Sequence, residues 1–302
     1  MTGPNGDTER IAAELRSEVA ELGWWLDATE VIGGGLEFVV FGASIPELGR
    51  VALRVPRMRV ISNDNDPHVD AFALLAQEEK LLRHAREAGV PAPAVHGLHR
   101  GRRCDFLATA LIVHDGSPPD RHELGRVVRR LHDSKPPGLQ PVMDALGSSA
   151  ATLAERIIRR AAVIERVTGI RLPLPREERL TDVLQWAEAE RRLLHMDLRP
   201  ENVLTVRGKI LGIVDWSNAM LGDPALELAR VSEYGGLDSD FSTGYGPPDP
   251  LARAPRAAVL GYRLDAAVML AVVFLSEAPD PDRASDQVRR VVELTEEFRG
   301  SL

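Results

Sequence analysis

The sequence has one cysteine, no long uninterrupted apolar run, no surplus of positive charge and no repeat or low-complexity segment. Each shortage removes a class of protein. Cys104 has no partner for a disulfide within the chain, and Arg103-Cys104-Asp105-Phe106 offers no cysteine or histidine at metal-binding spacing. It reads as a small buried hydrophobe. The longest apolar run, Ala266 to Leu275, falls short of the roughly 20 residues a membrane-spanning helix needs, so a core helix is expected there. The opening Met1-Thr2-Gly3-Pro4-Asn5-Gly6-Asp7 lacks the basic-then-apolar layout of a secretion leader, and a cytoplasmic protein with no membrane partner is expected. A formal net charge of −8 argues against a nucleic-acid partner. The short basic clusters Arg100-Gly101-Arg102-Arg103 and Arg129-Arg130 read as solvated faces.

What is present is an ordinary globular composition: 302 residues, 44% hydrophobic and 27% charged. That length sits where single cores stop growing, which favours two lobes. Ile11, Leu15, Val19 and Leu22 predict an amphipathic helix over Glu9 to Leu22, after a loose tail. Strand patterns follow at Thr29 to Ile32, Glu37 to Gly42 and Val51 to Val55, with Gly33-Gly34-Gly35 and Pro46 to Gly49 between them, as in an antiparallel meander. A helix over Ala71 to Ala88 stops at Gly89, and strands are expected at Val95 to Leu98 and Phe106 to Val113. Asp115-Gly116-Ser117-Pro118-Pro119 then breaks the pattern, giving lobes of 1–113 and 114–302. Beyond it, helices are expected at His122 to His132, Ala150 to Val167, Glu177 to Arg191, Ala225 to Tyr234, Ala257 to Glu277 and Ser285 to Phe298. Ser239 to Pro255, rich in Gly and Pro, reads as a surface loop, and His132 as a helix-end histidine favoured by the dipole.

The chemistry concentrates in Leu194-His195-Met196-Asp197-Leu198-Arg199-Pro200-Glu201-Asn202. A hairpin pattern follows: Val203 to Val206, a turn at Arg207-Gly208-Lys209, and Ile210 to Val214 leading into Asp215-Trp216. Asn202 lies six positions before Gly208 and Asp215 seven after it, so antiparallel pairing brings both to the ribbon's open end. An amide and a carboxylate oxygen there suit Mg²⁺, which keeps its other positions for water and phosphate. Asp197 would stand beside that ion and could accept the proton of an incoming hydroxyl.

His195-x-Asp197-x-x-x-x-Asn202, the hairpin, Ile213-Val214-Asp215-Trp216, Gly222-Asp223-Pro224 and Leu228-Ala229 together resemble the aminoglycoside phosphotransferase family, a branch of the protein-kinase-like fold. The resemblance implies an α+β, bilobal fold: a small N-terminal lobe with an antiparallel sheet plus a helix, and a larger, mostly helical C-terminal lobe. It implies Asp197 as catalytic base, Asn202 and Asp215 as Mg²⁺ ligands, and His195 as support for the loop. ATP or GTP would be the phosphoryl donor. Asp223 reads as a helix N-cap tying its helix to the catalytic loop.

In the N-terminal lobe, Gly34 and Gly35 could let backbone approach a triphosphate, or simply form a tight turn. Val51-Ala52-Leu53-Arg54-Val55-Pro56 occupies the place of the strand that carries the phosphate-binding lysine in most kinases, with Arg54 as its cation. That wording, with Leu36 to Phe41, resembles the macrolide phosphotransferase branch. Glu78 or Glu79 would be the acidic partner of Arg54, and Glu78 fits the count back from Gly89-Val90-Pro91. The base would meet the backbone of Ala110 to His114, with Val113 as the candidate.

Only eight positions separate Asp215 from Asp223, too few for the activation segment of protein kinases, so a small-molecule acceptor is expected. Glu227, Glu233, Asp238 and Asp240 could face a cationic antibiotic or be solvated acids, while Tyr234, Phe241 and Tyr245 suit an amphipathic macrolide. The leading expectation is antibiotic phosphorylation with resistance as its outcome, by a monomer or homodimer. The alternatives are a metabolic kinase acting on homoserine, choline or a sugar, and a nucleotide-binding pseudokinase that serves as an interaction module.

Overall fold

The structure, a computed structural model, describes residues 4–26, 29–144 and 146–302; residues 1–3 of the expected tail lie outside the described residues. Helix α1 (Pro4–Glu21) starts earlier than its apolar spacing suggests, and it buries the predicted stripe Ile11, Leu15 and Val19. Next come β1 (Thr29–Gly34), β2 (Phe38–Ile45), β3 (Gly49–Pro56), the two-residue strands β4 (Val60–Ile61) and β5 (Val69–Asp70), helix α2 (Ala71–Glu87), β6 (Val95–His99) and β7 (Phe106–Ala110). Five of these strands form an antiparallel sheet in the order β1-β2-β3-β7-β6.

Strand alternation explains what the sheet presents. Val51, Leu53 and Val55 of β3 are fully buried beside Val39, Phe41, Phe106 and the α1 stripe, in one apolar core. Arg54, one step out of phase, lies on the other face. Asp70 caps α2 by accepting from the Phe72 amide, and Gly89, at φ 72°, follows its last turn.

The rest of the chain is mostly helical. It holds α3 (Arg121–Asp133), α4 (Ser149–Thr168), α5 (Glu177–Leu184), strand β8 (Arg192–Leu194), the hairpin β9 (Val203–Val206) and β10 (Lys209–Ile213), and β11 (Met220–Gly222). Helices α6 (Pro224–Glu233), α7 (Ser239–Tyr245), α8 (Pro250–Arg253), α9 (Arg256–Val272) and α10 (Pro281–Gly300) complete it. The chain thus has the α+β architecture of the kinase-like fold, with the antiparallel sheet first and the helices after it.

Chain contacts divide into two compact units. One comprises 1–62, 68–118 and 203–217; the other comprises 63–67, 119–202 and 218–302. In the second unit, α4, α5, α6, α9 and α10 surround a core that includes Ile157, Leu184, Leu226, Leu264, Val268 and Phe298.

Four elements differ from expectation. The helix over Glu177 to Arg191 ends at Leu184 and tightens into a 3₁₀ turn, Gln185–Glu188, before β8. Strand β8 pairs with β11, a three-residue ladder too short for its alternation to register. Ser239 to Pro255 is not a loop, because Phe241 and Tyr245, four apart, are buried on α7, whose N-cap is Asp238. α7 packs on α3 so closely that a Cβ on Gly244 would stand 2.0 Å from the His122 carbonyl oxygen. Finally, α9 with its π-helical extension Val273–Glu277 is long and apolar enough to cross a membrane by length and composition. Its Leu264, Ala267, Val268 and Ala271 are nevertheless buried in the helical core.

Candidate active site

The second unit carries the loop from His195 to Asn202. β8 delivers it, and its paired Leu193 and Leu194 are fully buried. Met196 follows at φ 65°, a conformation that an unbranched side chain adopts only when the surroundings hold it. That hold comes from α6: the Met196 amide donates to Glu227 Oε1 at 2.6 Å. Glu227 Oε2 meets His132 Nε2 at 2.7 Å, and His132 Nδ1 meets the Tyr245 hydroxyl at 2.9 Å. A neutral imidazole that donates through Nε2 to the carboxylate accepts through Nδ1 from the phenol.

All three side chains are buried. Glu227 is therefore no surface acid, and His132 is a bridging group instead of a helix-end charge. Asp223 caps α6 through the Ala225 amide, as expected, but the tie to the loop is made by Glu227, one turn later. Removing it leaves a buried histidine and a strained amide without their acceptor. Glu227→Ala is expected to cost about 3 kcal/mol of stability and most of the turnover, whereas Glu227→Gln keeps more of both. Chemical denaturation with parallel rate measurements checks this.

Asp197, at the centre of the loop, is buried and heavily bonded. Arg199 grips it side-on, Nε to Oδ1 at 2.8 Å and Nη2 to Oδ2 at 2.9 Å. Asn202 Nδ2 donates to both the backbone oxygen and Oδ2 of Asp197, each at 2.9 Å. The Tyr234 hydroxyl stands 3.5 Å from Oδ1, and Arg230 Nε donates to that hydroxyl at 3.0 Å. Arg230 is itself paired with buried Asp265, which Arg160 also holds. His195 is fully buried, and its Nδ1 accepts from the Asp197 amide at 3.2 Å. The structure thus joins His195, Asp197 and Asn202 and adds Arg199 and Tyr234.

The first unit carries a second cluster, around Arg54. Its Nη1 pairs with Glu78 Oε2 at 2.8 Å and its Nη2 with Asp215 Oδ1 at 2.7 Å; Ser217 Oγ lies 3.0 Å from the same nitrogen. The guanidinium sits 4.3 Å over the Phe38 ring. Of the two candidate acids on α2, Glu78 faces Arg54 while Glu79 pairs with Arg83 on the helix surface. Gln77 Nε2 donates to the Trp216 carbonyl at 2.7 Å, so α2 holds the segment after the hairpin at two points.

Two carboxylates here share one cation. Burial, with the repulsion of Asp215 added, pushes Glu78 up to about 6 despite Arg54 beside it. Burial also works against the charge on Arg54, but Asp215 and Glu78 outweigh it and its pKa rises.

The hairpin that carries Asp215 forms as expected, with Val206 opposite Lys209 and Val203 opposite Ile213. Its two-residue turn has both Arg207 (φ 52°) and Gly208 (φ 81°) left-handed, the combination that matches strand twist. Asp115 accepts from the Arg207 amide at 2.8 Å, and Ser117 Oγ accepts from the Gly208 amide at 2.9 Å. The Ser117 hydroxyl and amide, and then the Arg207 amide, hold Asp115 down to about 2. The Asp-Gly-Ser break in the sequence is thus a clasp on the hairpin. Asp215 adopts φ 63° and its side chain is 35% exposed.

Gly34 ends β1 opposite Val39, and the Gly35 amide donates to the Phe38 carbonyl, closing a tight turn. At Gly34, φ 152° and a Cβ contact of 2.9 Å to that carbonyl oxygen require glycine. Both glycines are exposed, and Val113 is exposed in the segment after β7.

In each unit one oxygen donor is of a kind that suits a hard cation such as Mg²⁺. Asn202 commits its amide nitrogen to Asp197, so its oxygen is the atom it can offer a cation, and Asp215 adds a carboxylate. Val203 pairs with Ile213 at the open end of the ribbon.

Against known proteins, the family model described as "Phosphotransferase enzyme family" matches residues 29–258, more than half of the chain. Hygromycin-B 4-O-kinase of Escherichia coli is 42% identical over 55 residues, a stretch that spans 17% of this chain and 16% of that enzyme. A choline/ethanolamine kinase family protein from Mesorhizobium loti has a similar fold, with TM-score 0.63, 20% identity and 97% of each chain covered. So does a thermostable aminoglycoside phosphotransferase in a ternary complex with ADP and hygromycin B, with TM-score 0.59, 17% identity, and 92% of this chain and 96% of that one covered.

Proposed function

Because the chain belongs to the phosphotransferase enzyme family, we propose that it moves the γ-phosphoryl group of ATP or GTP onto a hydroxyl of a small molecule, with Asp197 receiving the hydroxyl proton. The observation that carries this reading is the buried Asp197–Asn202 pair, a carboxylate fixed at a loop that His195 and Glu227 hold in a strained conformation. Positioning of that kind is most of what phosphoryl transfer asks of a protein.

In this reading Arg54, kept in place by Glu78, meets the phosphates, Gly34 and Gly35 let backbone approach them, and the segment at Val113 meets the base. Residues 1–113 form the nucleotide-binding lobe and 114–302 the catalytic lobe. Asn202 and Asp215 hold Mg²⁺, which would neutralise charge on the phosphate oxygens. The chain's own residues do the rest: Asp197 aligns the acceptor oxygen, and His195 and Glu227 fix Asp197. A cytoplasmic enzyme, monomeric or homodimeric, is consistent with this chemistry.

Acceptor class is narrowed by one finding. Of the four acids that could have faced a polycation, three are engaged, Glu227 by His132 and Met196, Glu233 by Arg263 and Arg290, and Asp238 by its helix cap and Arg121, while Asp240 is exposed in the first turn of α7. A strongly cationic aminoglycoside is not supported by them. A macrolide-type antibiotic or an uncharged metabolic alcohol suits these engaged acids better, whereas the relatives named for hygromycin B and for choline and ethanolamine keep cationic acceptors in the panel. Diphosphate release measured over a panel of macrolides, aminoglycosides, choline, homoserine and sugars, with ATP and with GTP, tests the proposal. Acceptor-dependent release supports it, and nucleotide binding with no transfer to any acceptor or to water would leave the pseudokinase reading.

A further inference from the structure

We propose that the Tyr234 hydroxyl holds the oxygen of the incoming alcohol against Asp197 Oδ1, so that one acceptor hydroxyl donates to the carboxylate while it accepts from the phenol. This inference rests on the kinase reading above and gives that reading an acceptor-binding residue, which lies with all its partners in the second unit.

An ionised carboxylate offers about four lone-pair sites on its two oxygens, and Asp197 has most of them filled. Oδ2 accepts from Arg199 Nη2 and from Asn202 Nδ2, each at 2.9 Å. Oδ1 accepts from Arg199 Nε at 2.8 Å. Among the described residues, what remains of Oδ1 meets the Tyr234 hydroxyl at 3.5 Å, beyond the roughly 3.0 Å reach of a good O–H···O bond. The open site on the proposed base therefore lies beside that phenol.

Tyr234 is set up as a donor. Arg230 Nε donates to its oxygen at 3.0 Å, which leaves the phenol's own proton to be given elsewhere. Arg230 is in turn fixed: its side chain is 4% exposed, its Nη1 bonds Asp265 Oδ2 at 3.0 Å, and Arg160 Nη1 holds Asp265 Oδ1 at 3.0 Å. Burial pushes the Tyr234 phenol above its ordinary value despite the charge on Arg230, so it keeps its proton at neutral pH. Tyr234 itself is half-buried, at the C-terminal end of α6, where an acceptor can reach its hydroxyl.

Two oxygens 3.5 Å apart leave room for a third at about 2.8 Å from both. A neutral alcohol suits that place, because its one proton goes to Asp197 and one of its two lone pairs accepts from Tyr234. Its other lone pair is left for phosphorus. As that pair bonds to the γ-phosphorus, the bridging β–γ P–O bond breaks and its electrons leave with the nucleoside diphosphate. The alcohol proton passes to Asp197 Oδ1, and Tyr234 keeps its own. An ammonium group has no lone pair to offer the phenol's proton, so the site takes a hydroxyl over a protonated amine.

The test compares full-length wild type, Y234F, R230K, D197A and the double variant D197A/Y234F, each checked by thermal unfolding. The probe is the compound of the acceptor panel above that most stimulates diphosphate release by wild type; where water alone serves, kcat of nucleotide hydrolysis is the readout. Its dissociation constant is measured by titration calorimetry with Mg²⁺ and an imido-bridged triphosphate analogue present, alongside kcat and the affinity of that analogue. Y234F should bind the probe about tenfold more weakly, lose about tenfold in kcat and bind the nucleotide analogue as wild type does. The same loss of probe affinity should separate D197A/Y234F from D197A, which a tyrosine that only props Asp197 does not produce. R230K keeps the phenol and the charge but not the bond on the phenol oxygen; it should lose about threefold in probe affinity and decides the matter if Y234F unfolds. Undiminished probe affinity and kcat in the folded variants, or a loss that vanishes without Asp197, would overturn the assignment. A wild type that transfers phosphoryl to no panel member and not to water would overturn the kinase reading itself, a result recognisable because no variant is involved.

Discussion

Asp197→Ala should lower kcat by roughly a thousandfold while leaving nucleotide affinity unchanged or slightly tighter. The loss follows from geometry: Asp197 is the carboxylate of the loop that Met196, His195 and Asn202 combine to fix, and alanine offers no oxygen to align or deprotonate an alcohol. Nucleotide affinity should survive because the removed group is itself an anion and is not one of the proposed metal ligands. Stability needs a separate control, since Arg199 and Asn202 both lose a partner; Asp197→Asn keeps the shape and some of the hydrogen bonds. Steady-state kinetics with a binding titration on the same preparations checks both halves. A variant that turned over like wild type would remove Asp197 from its role.

Asp215→Ala should fail in a different way. It should lose about a thousandfold or more in kcat, and nucleotide affinity should cease to depend on Mg²⁺. Asp215 contributes a carboxylate at the end of the hairpin and also one of the two anions on Arg54, so alanine removes a ligand and loosens the cation together. Asp215 sits at φ 63°, where asparagine is tolerated better than alanine, so Asp215→Asn separates lost charge from backbone strain. Titrating nucleotide affinity against Mg²⁺ for the three proteins distinguishes these effects: a flat response in both variants with a rising one in wild type is expected.

Much of this arrangement was legible in the residues, for identifiable reasons. The hairpin was readable because Arg207-Gly208 between two apolar strands is turn chemistry, and its register then followed from counting. The start of α6 was readable from its capping side chain Asp223, and the structure shows the same device at Asp70, Asp120 and Ser148. Glu78 separated from Glu79 because the end of α2 is marked by Gly89. Counting along one element works because local geometry is periodic.

What stayed hidden depended on contacts between distant elements. Glu227 looked like any helix acid, yet every residue from Pro224 to Val231 is buried. A helix that is apolar nearly all round must be enclosed, and a charge within it then needs a partner, so Leu226, Leu228, Ala229 and Val231 were the available signal. His132 was obscured in the same way, since its role exists only when α3 and α6 are packed together. Helix α7 was masked by the glycines and prolines around it, although Asp238, Phe241 and Tyr245 carry a cap and a buried pair at helical spacing. The hold of Arg199 on Asp197 could not be read from a spacing of two, which fixes no side-chain direction in a loop.

The most direct measurement is transfer of label from γ-³²P-labelled nucleotide to an acceptor that stimulates diphosphate release, followed side by side for wild type, Asp197→Ala and Asp215→Ala. The account predicts a phosphorylated acceptor formed in step with nucleoside diphosphate by wild type alone. Labelled acceptor produced equally by wild type and Asp197→Ala would contradict it.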